Sequence, residues 1–176
     1  AVVIGADPGT ILAAVNKYHQ DNPVILGLNF GQVGFLASAR DPKLFFRAVK
    51  KFLDGNYAII ERMLVQAEVV RNKKVVFEAK ALNEVSVQNI LGMVNVAIHI
   101  DKHLIQNIRG TGLLVSTATG STAHNLSAHG PIIMPDIKCL VITELLDHNI
   151  PTPSIVIKKD RTITLKIVGF RNHQAL

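Results

Sequence analysis

Tryptophan is absent from this chain, and its only cysteine is Cys139. A single cysteine cannot close an intramolecular disulfide, which fits a reducing compartment and a cytoplasmic setting. Cys139 lies in the apolar run Ile137-Lys-Cys-Leu-Val-Ile142, where a thiol reads as a small buried hydrophobe rather than a reactive group. Aromatic residues make up only 5%, so the core has to be assembled from Val, Ile, Leu and Ala. No apolar run reaches the ~18 residues of a membrane-crossing helix, and no membrane partner is expected. The chain opens on an apolar strand with no basic region before it, which excludes a signal-peptide pattern and suggests that preceding elements are missing. The end at Leu176, without a closing element, suggests the same for the C-terminus. Seven histidines (His19, His99, His103, His124, His129, His148 and His173) show no metal-ligand spacing, so no structural metal is expected.

What is present is a globular composition. The 176 residues are 48% hydrophobic and 18% charged, enough for one domain with a sizeable core or two small ones. Acidic residues are the scarcer sign, 13 against 19 basic, giving a net charge of +6. That balance suits a partner carrying phosphates. The basic pairs Lys50-Lys51, Lys73-Lys74 and Lys158-Lys159 are scattered and not interleaved with aromatics. They read as solvated faces, and nucleic acid is not the expected partner.

Ala1-Val-Val-Ile4 reads as a buried strand, followed by the turn Gly5-Ala-Asp-Pro-Gly-Thr10. Ile11, Leu12, Val15 and Tyr18 recur at helical spacing, which predicts a helix capped by Thr10 and running to about His19. Val24-Ile-Leu26 is a second buried strand, and Gly27-Leu-Asn-Phe-Gly-Gln-Val-Gly-Phe-Leu36 a second Gly-rich turn. Strand, Gly-rich turn, helix, strand is a βαβ unit. Ligands of such units sit where the turn meets the helix N-terminus, which puts Asp7, Gly9 and Thr10 on a phosphate-facing edge. A helix is predicted over 42–53, ended by Asp54-Gly55. From Ala58 onward the pattern turns to strands and short turns: 58–70, a hairpin turn at Asn72-Lys73-Lys74, then 75–82, 84–87, 94–100, 137–143, 154–158 and 162–168. A boundary near residue 55 follows, giving an α/β part over 1–55 and a β-rich part over 56–176.

The centre of the chain is residues 109–135. An apolar run stops at Ser116, and Ser116-Thr-Ala-Thr-Gly-Ser-Thr-Ala123 follows, nearly all small residues and hydroxyls. Such a segment lets backbone N–H groups and hydroxyls approach a ligand; it is also what an ordinary Ser/Thr-rich turn looks like.

Four motifs together carry a family resemblance. Gly5-Ala-Asp-Pro-Gly-Thr10 resembles the Gly-Gly-Asp-Gly-Thr loop of the NAD kinases (ATP/polyphosphate-NAD kinases). The segment 27–36 resembles their Gly-rich second loop, and Ala81-Leu-Asn-Glu-Val85 their Asn-Glu motif. Ser116-Thr-Ala-Thr-Gly-Ser-Thr-Ala-His124, continuing through Ser127-Ala-His-Gly-Pro131, resembles their Thr-Gly-Ser-Thr-Ala signature. The departures are Ala6 for a Gly, Pro8 inserted after Asp7, Ala118 for a Pro, Thr111 for an acidic residue, His124 for a Tyr and His129 for a Gly.

The resemblance implies an N-terminal βαβ part (Rossmann-like, phosphofructokinase-like) and a β-sandwich-like C-terminal domain, with the family's terminal elements missing. It implies phosphoryl transfer from ATP or polyphosphate to the 2′-hydroxyl of the adenosine ribose of NAD, giving NADP. Magnesium or another divalent cation would accompany the ATP, and a homodimer or homotetramer is the expected assembly. Asp7 is the candidate carboxylate that takes or orients the hydroxyl proton, although an Asp beside Pro is also a turn-former. Gly5, Gly9, Thr10, Asn29, Phe35 and Leu36 would line the phosphates, with Phe35 equally readable as core. Asn83 and Glu84 could hold a ribose or amide, or form a solvated edge pair. Thr111, Thr122, Ala123 and Ser127 would contact NAD, and His124 could stack on a base. A lipid or sugar kinase sharing only the Gly-Asp loop is disfavoured by the Asn-Glu and Thr-Gly-Ser-Thr-Ala motifs. A non-catalytic nucleotide-binding relative draws its support from Pro8, Thr111 and His124.

Overall fold

The structure, a computed structural model, describes residues 2–5, 8–29, 39, 41–147 and 152–172. The chain forms two compact units, Ala1–Glu61 and Arg62–Leu176. The sequence put the change of character near residue 55; the units divide between Glu61 and Arg62.

The first unit is the βαβ element with a further helix. Strand β1 (Val2–Gly5) leads to helix α1 (Pro8–Tyr18), and strand β2 (Ile25–Leu28) pairs with β1 in parallel. The helix begins at Pro8, not after Thr10. A residue without an N–H suits the first helical position, whose N–H has no helical partner, so Thr10 falls inside the first turn rather than capping it. The second strand reaches Leu28, beyond Gly27, where the sequence suggested that the turn begins. Ile11 and Ala14 of α1 pack with Tyr18 and Ile25. Helix α2 (Phe45–Leu53), preceded by a 3-10 turn at Pro42–Leu44, sets Phe45, Ala48, Val49 and Phe52 against Leu26 and Leu28. Asp41 caps that turn through its carboxylate, which accepts from the Lys43 N–H at 3.0 Å.

The second unit is antiparallel β. Hairpin β3 (Val65–Arg71) and β4 (Lys74–Ala81) turns through Asn72 and Lys73, both at positive φ as a type I′ turn requires. The strand expected from residue 58 begins only at Val65. Residues 56–64 have no partner strand, and Ile59 and Ile60 are exposed. Strands β5 (Glu84–Gln88), β6 (Gly92–Ile100), β7 (His103–Thr117), β8 (Cys139–Asp147), β9 (Ile155–Lys158) and β10 (Ile163–Asn172) form a six-stranded sheet. Its path is β10-β6-β7-β8-β9, and β5 adds to β7.

β7 organises this unit. Its first half pairs with β6, and its second half exchanges that partner for β5 while pairing with β8 on the other side. The exchange occurs around Gly112, where a β-carbon would stand 2.2 Å from the Val87 carbonyl; only glycine lets β5 come in. Alternate residues Val94, Val96, Ile98, Ile108, Leu113, Val115, Leu140, Ile142 and Ile157 make the core with Val65. Cys139 is buried, as its apolar context implied. Among the described residues, no helix is long and apolar enough to cross a membrane.

Candidate functional site

The signature segment begins where β7 ends. Ser116 and Thr117 are its last two residues, and neither is accessible to solvent. The chain then turns through Ala118 and Thr119 into a 3-10 turn, Gly120–Thr122, and a single helical turn, α3 (His124–Ser127). The run of small residues makes this path possible. A β-carbon on Gly120 would stand 2.1 Å from the Asn83 carbonyl oxygen, so the Asn-Glu stretch lies directly on the signature loop.

Hydrogen bonds lock the two motifs together. The Thr117 N–H donates to the Asn83 carbonyl at 2.8 Å, and the Thr117 hydroxyl donates to the Leu82 carbonyl at 2.5 Å. The same hydroxyl accepts the Gly120 N–H at 3.1 Å. Glu84 pairs across the strands with Ser116. Its side chain is half-buried, and Oε2 has no hydrogen-bond partner among the described residues. Burial holds the Glu84 carboxyl above the ordinary carboxylate range, and the nearby His124 works in the opposite direction.

Below the loop is a buried polar network that motif reading did not single out. Asn125, fully buried, donates from Nδ2 to the Ser121 carbonyl at 3.1 Å and to the Pro131 carbonyl at 3.0 Å. Its Oδ1 accepts from the Thr143 hydroxyl of β8 at 2.7 Å. The Ser121 hydroxyl donates to the Ala118 carbonyl at 2.7 Å and accepts the Ile133 N–H at 3.0 Å. These bonds tie the segment 118–133 to itself, and the Asn125–Thr143 bond anchors it to β8. Their signal in sequence is the hydroxyl-rich run itself; the partner Thr143 has none.

The structure therefore brings together Asn83, Glu84, Thr122, Ala123 and His124 on one edge of the second unit, with Ser127 exposed at the end of α3. Thr122 also donates its hydroxyl to the Thr119 carbonyl at 3.4 Å. Thr111 lies five residues back along β7 from Ser116, roughly 17 Å at strand spacing. Its hydroxyl donates to the Leu145 carbonyl at 2.9 Å and ties β7 to β8. In the first unit, Gly5 ends β1, and Gly9 and Thr10 are exposed in the first turn of α1. Asn29 is buried, and its N–H donates to the Ala39 carbonyl at 2.9 Å. Asp7, Phe35 and Leu36 lie outside the described residues. His129, where the family has glycine, adopts φ +59°, a left-handed conformation that explains why glycine is usual there.

Comparisons with known proteins bear on the family and the fold. Residues 1–57 match the model of the ATP-NAD kinase N-terminal domain, and residues 82–176 that of the ATP-NAD kinase C-terminal domain. The chain is 36% identical over 166 residues to the NAD kinase of Caldicellulosiruptor saccharolyticus, covering 94% of this chain and 61% of that one. It is 37% identical to the NAD kinase of Cupriavidus pinatubonensis, covering 98% and 56%. The chain thus spans a little over half the length of these curated relatives. Among solved structures, it is similar to an NAD kinase from Archaeoglobus fulgidus in complex with ATP: 27% identity, TM-score 0.78, 94% of this chain and 64% of that one. The fold also matches yeast NADH kinase complexed with NADH, with TM-score 0.87 at 23% identity, covering 94% and 50%. With both family domains matched along it in order, the chain belongs to the NAD kinase family.

Proposed function

We propose that the protein transfers a phosphoryl group from ATP, or polyphosphate, to the 2′-hydroxyl of the adenosine ribose of NAD, producing NADP. The observation that carries this reading is the seating of Asn83 against Gly120, in a chain whose family acts on NAD. It gathers a carboxamide, a half-buried carboxyl, hydroxyls and an imidazole at one edge, a donor and acceptor set suited to ribose and base.

Positioning dominates phosphoryl transfer. Asp7 orients or takes the 2′-hydroxyl proton. The Gly5, Gly9 and Thr10 turn supplies backbone N–H groups to phosphate oxygens at the start of α1, and Asn29, Phe35 and Leu36 are the further residues proposed to contact the nucleotide. Asn83 and Glu84 hold a ribose, Thr122, Ala123 and Ser127 line the dinucleotide, and His124 stacks on a base. No three His, Cys, Asp or Glu side chains converge among the described residues. A divalent cation fits such a site when it arrives with the triphosphate, held mostly by phosphate and water oxygens. Its contribution is to neutralise phosphate charge. The reading extends to a cytoplasmic homodimer or homotetramer.

The test is direct. The protein is incubated with NAD, ATP and magnesium, and NADP is measured with an NADP-specific dehydrogenase. NADP formation is expected. Tight NAD binding without NADP would reduce the protein to a nucleotide-binding relative, and no NAD binding would overturn the reading.

A further inference from the structure

Arg62 opens the second unit, three residues before β3, in a segment whose sequence shows no motif. Its guanidinium is half-buried and lies beside the signature loop: Nη1 donates to the Thr119 hydroxyl at 3.3 Å. That partner is neutral. Among the described residues, no Asp or Glu oxygen lies within ion-pair distance of Arg62. Of five guanidinium N–H donors, one is engaged by this bond. Burial draws the Arg62 pKa down without any opposing carboxylate. Partly withdrawing a cation from water without a counter-charge is unfavourable, and an arriving anion would relieve that cost.

The surroundings match that purpose. Arg62 stands at the turn formed by Thr119 and Gly120–Thr122; Thr119, Gly120 and Ser121 are buried there, and Thr122 and Arg62 remain partly exposed. We propose that Arg62 is a phosphate-binding residue, its planar fork set by Thr119 and directed at the oxygens of a di- or triphosphate lying on this turn. Guanidinium geometry suits two phosphate oxygens at once, which a lysine ammonium does not reproduce. Only the identity of that phosphate, the pyrophosphate of NAD or the triphosphate of the donor, rests on the kinase reading.

The experiment measures binding of inorganic tripolyphosphate and pyrophosphate by calorimetry, for the wild-type protein, Arg62→Gln and Arg62→Lys. Gln keeps a donor for Thr119 and removes the charge; Lys keeps the charge and loses the fork. The expected result is a loss of tripolyphosphate or pyrophosphate affinity of about 10–100-fold in R62Q and a smaller loss in R62K. The melting temperature of R62Q should stay at or above that of wild type. Steady-state kinetics then separate the sources. A rise in KM for NAD alone assigns the dinucleotide pyrophosphate, and a rise in KM for ATP alone assigns the donor. If wild type makes no NADP yet R62Q still loses polyphosphate binding, the anion site stands and the kinase reading fails. Wild type that binds neither anion, or unchanged affinity in both variants, would overturn the assignment. So would a lowered melting temperature with unchanged affinity.

Discussion

The main-chain carbonyl of Asn83 occupies the place where a side chain on Gly120 would begin: a β-carbon there would stand 2.1 Å from its oxygen and 2.7 Å from Asn83 Cα. Both neighbours are backbone, which cannot swing aside. Gly120→Ala must therefore separate the Asn-Glu stretch from the signature loop. It should destabilise the protein by about 2–4 kcal/mol and weaken NAD binding at least as much as Asn83→Ala. Thermal denaturation and NAD titration check this. A G120A protein with wild-type melting and binding would mean that the two motifs are not seated on each other.

Asn125 is expected to be among the most sensitive positions away from the ligand. Asn125→Ala removes three hydrogen bonds, opens a cavity and strands the Ser121 and Pro131 carbonyls. The expected loss is about 2–4 kcal/mol. Thr143→Val alone should cost about 1–3 kcal/mol, and the double variant should fall short of the sum, because both lose the same bond. Strict additivity in denaturant melts would contradict the network.

Glu84 should make stability depend on pH. Because burial raises its carboxyl pKa in the folded state, its contribution is full below the ordinary glutamate value and is lost as pH rises through the raised folded value. Gln mimics the protonated form. Glu84→Gln should therefore gain on wild type as pH rises from about 4 to about 8. The nearby His124 works against this rise and makes the effect smaller than burial alone would give. Melting curves at both pH values check this, and a constant difference between the two proteins would rule it out.

His129→Gly should stabilise the protein. A histidine at φ +59° pays a steric penalty that glycine avoids, though glycine loses more chain entropy on folding. The net gain should be about 0.5–1 kcal/mol, seen as a rise of roughly 1–4 °C in Tm. No rise would show that the local backbone accommodates the side chain at no cost.

Asp7→Asn tests the proposed chemistry apart from the fold. Turnover should fall by about 10²–10⁴-fold, while KM for NAD changes by less than about threefold. An unchanged rate would remove Asp7 from the mechanism.

Much of the framework was legible in the residues. The strand stretches 94–100 and 162–168 overlap β6 and β10, and the positive-φ turn at Asn72–Lys73 falls where the sequence put a hairpin turn. The end of β7 at Thr117 follows from the stop in the apolar run at Ser116. What stayed hidden depends on partners distant in sequence. Thr143 reads as one more strand residue until β8 places it under Asn125, and Arg62 gives no signal until Thr119 meets it. The start of α1 was misjudged because Thr10 is a good cap in isolation, whereas Pro8 is the better first helical residue. Residues 58–64 alternate enough to suggest a strand, but no strand is there to pair with them.

The double pairing of β7 has a further consequence. Residues 113–116 face β5 on one side and β8 on the other, so their amide hydrogens should be among the slowest in the protein to exchange with deuterium. The signature loop is rooted directly in that rigid stem and pinned beneath by Asn125. Its backbone order is acquired when the chain folds, so a nucleotide arriving later meets a surface with little left to freeze.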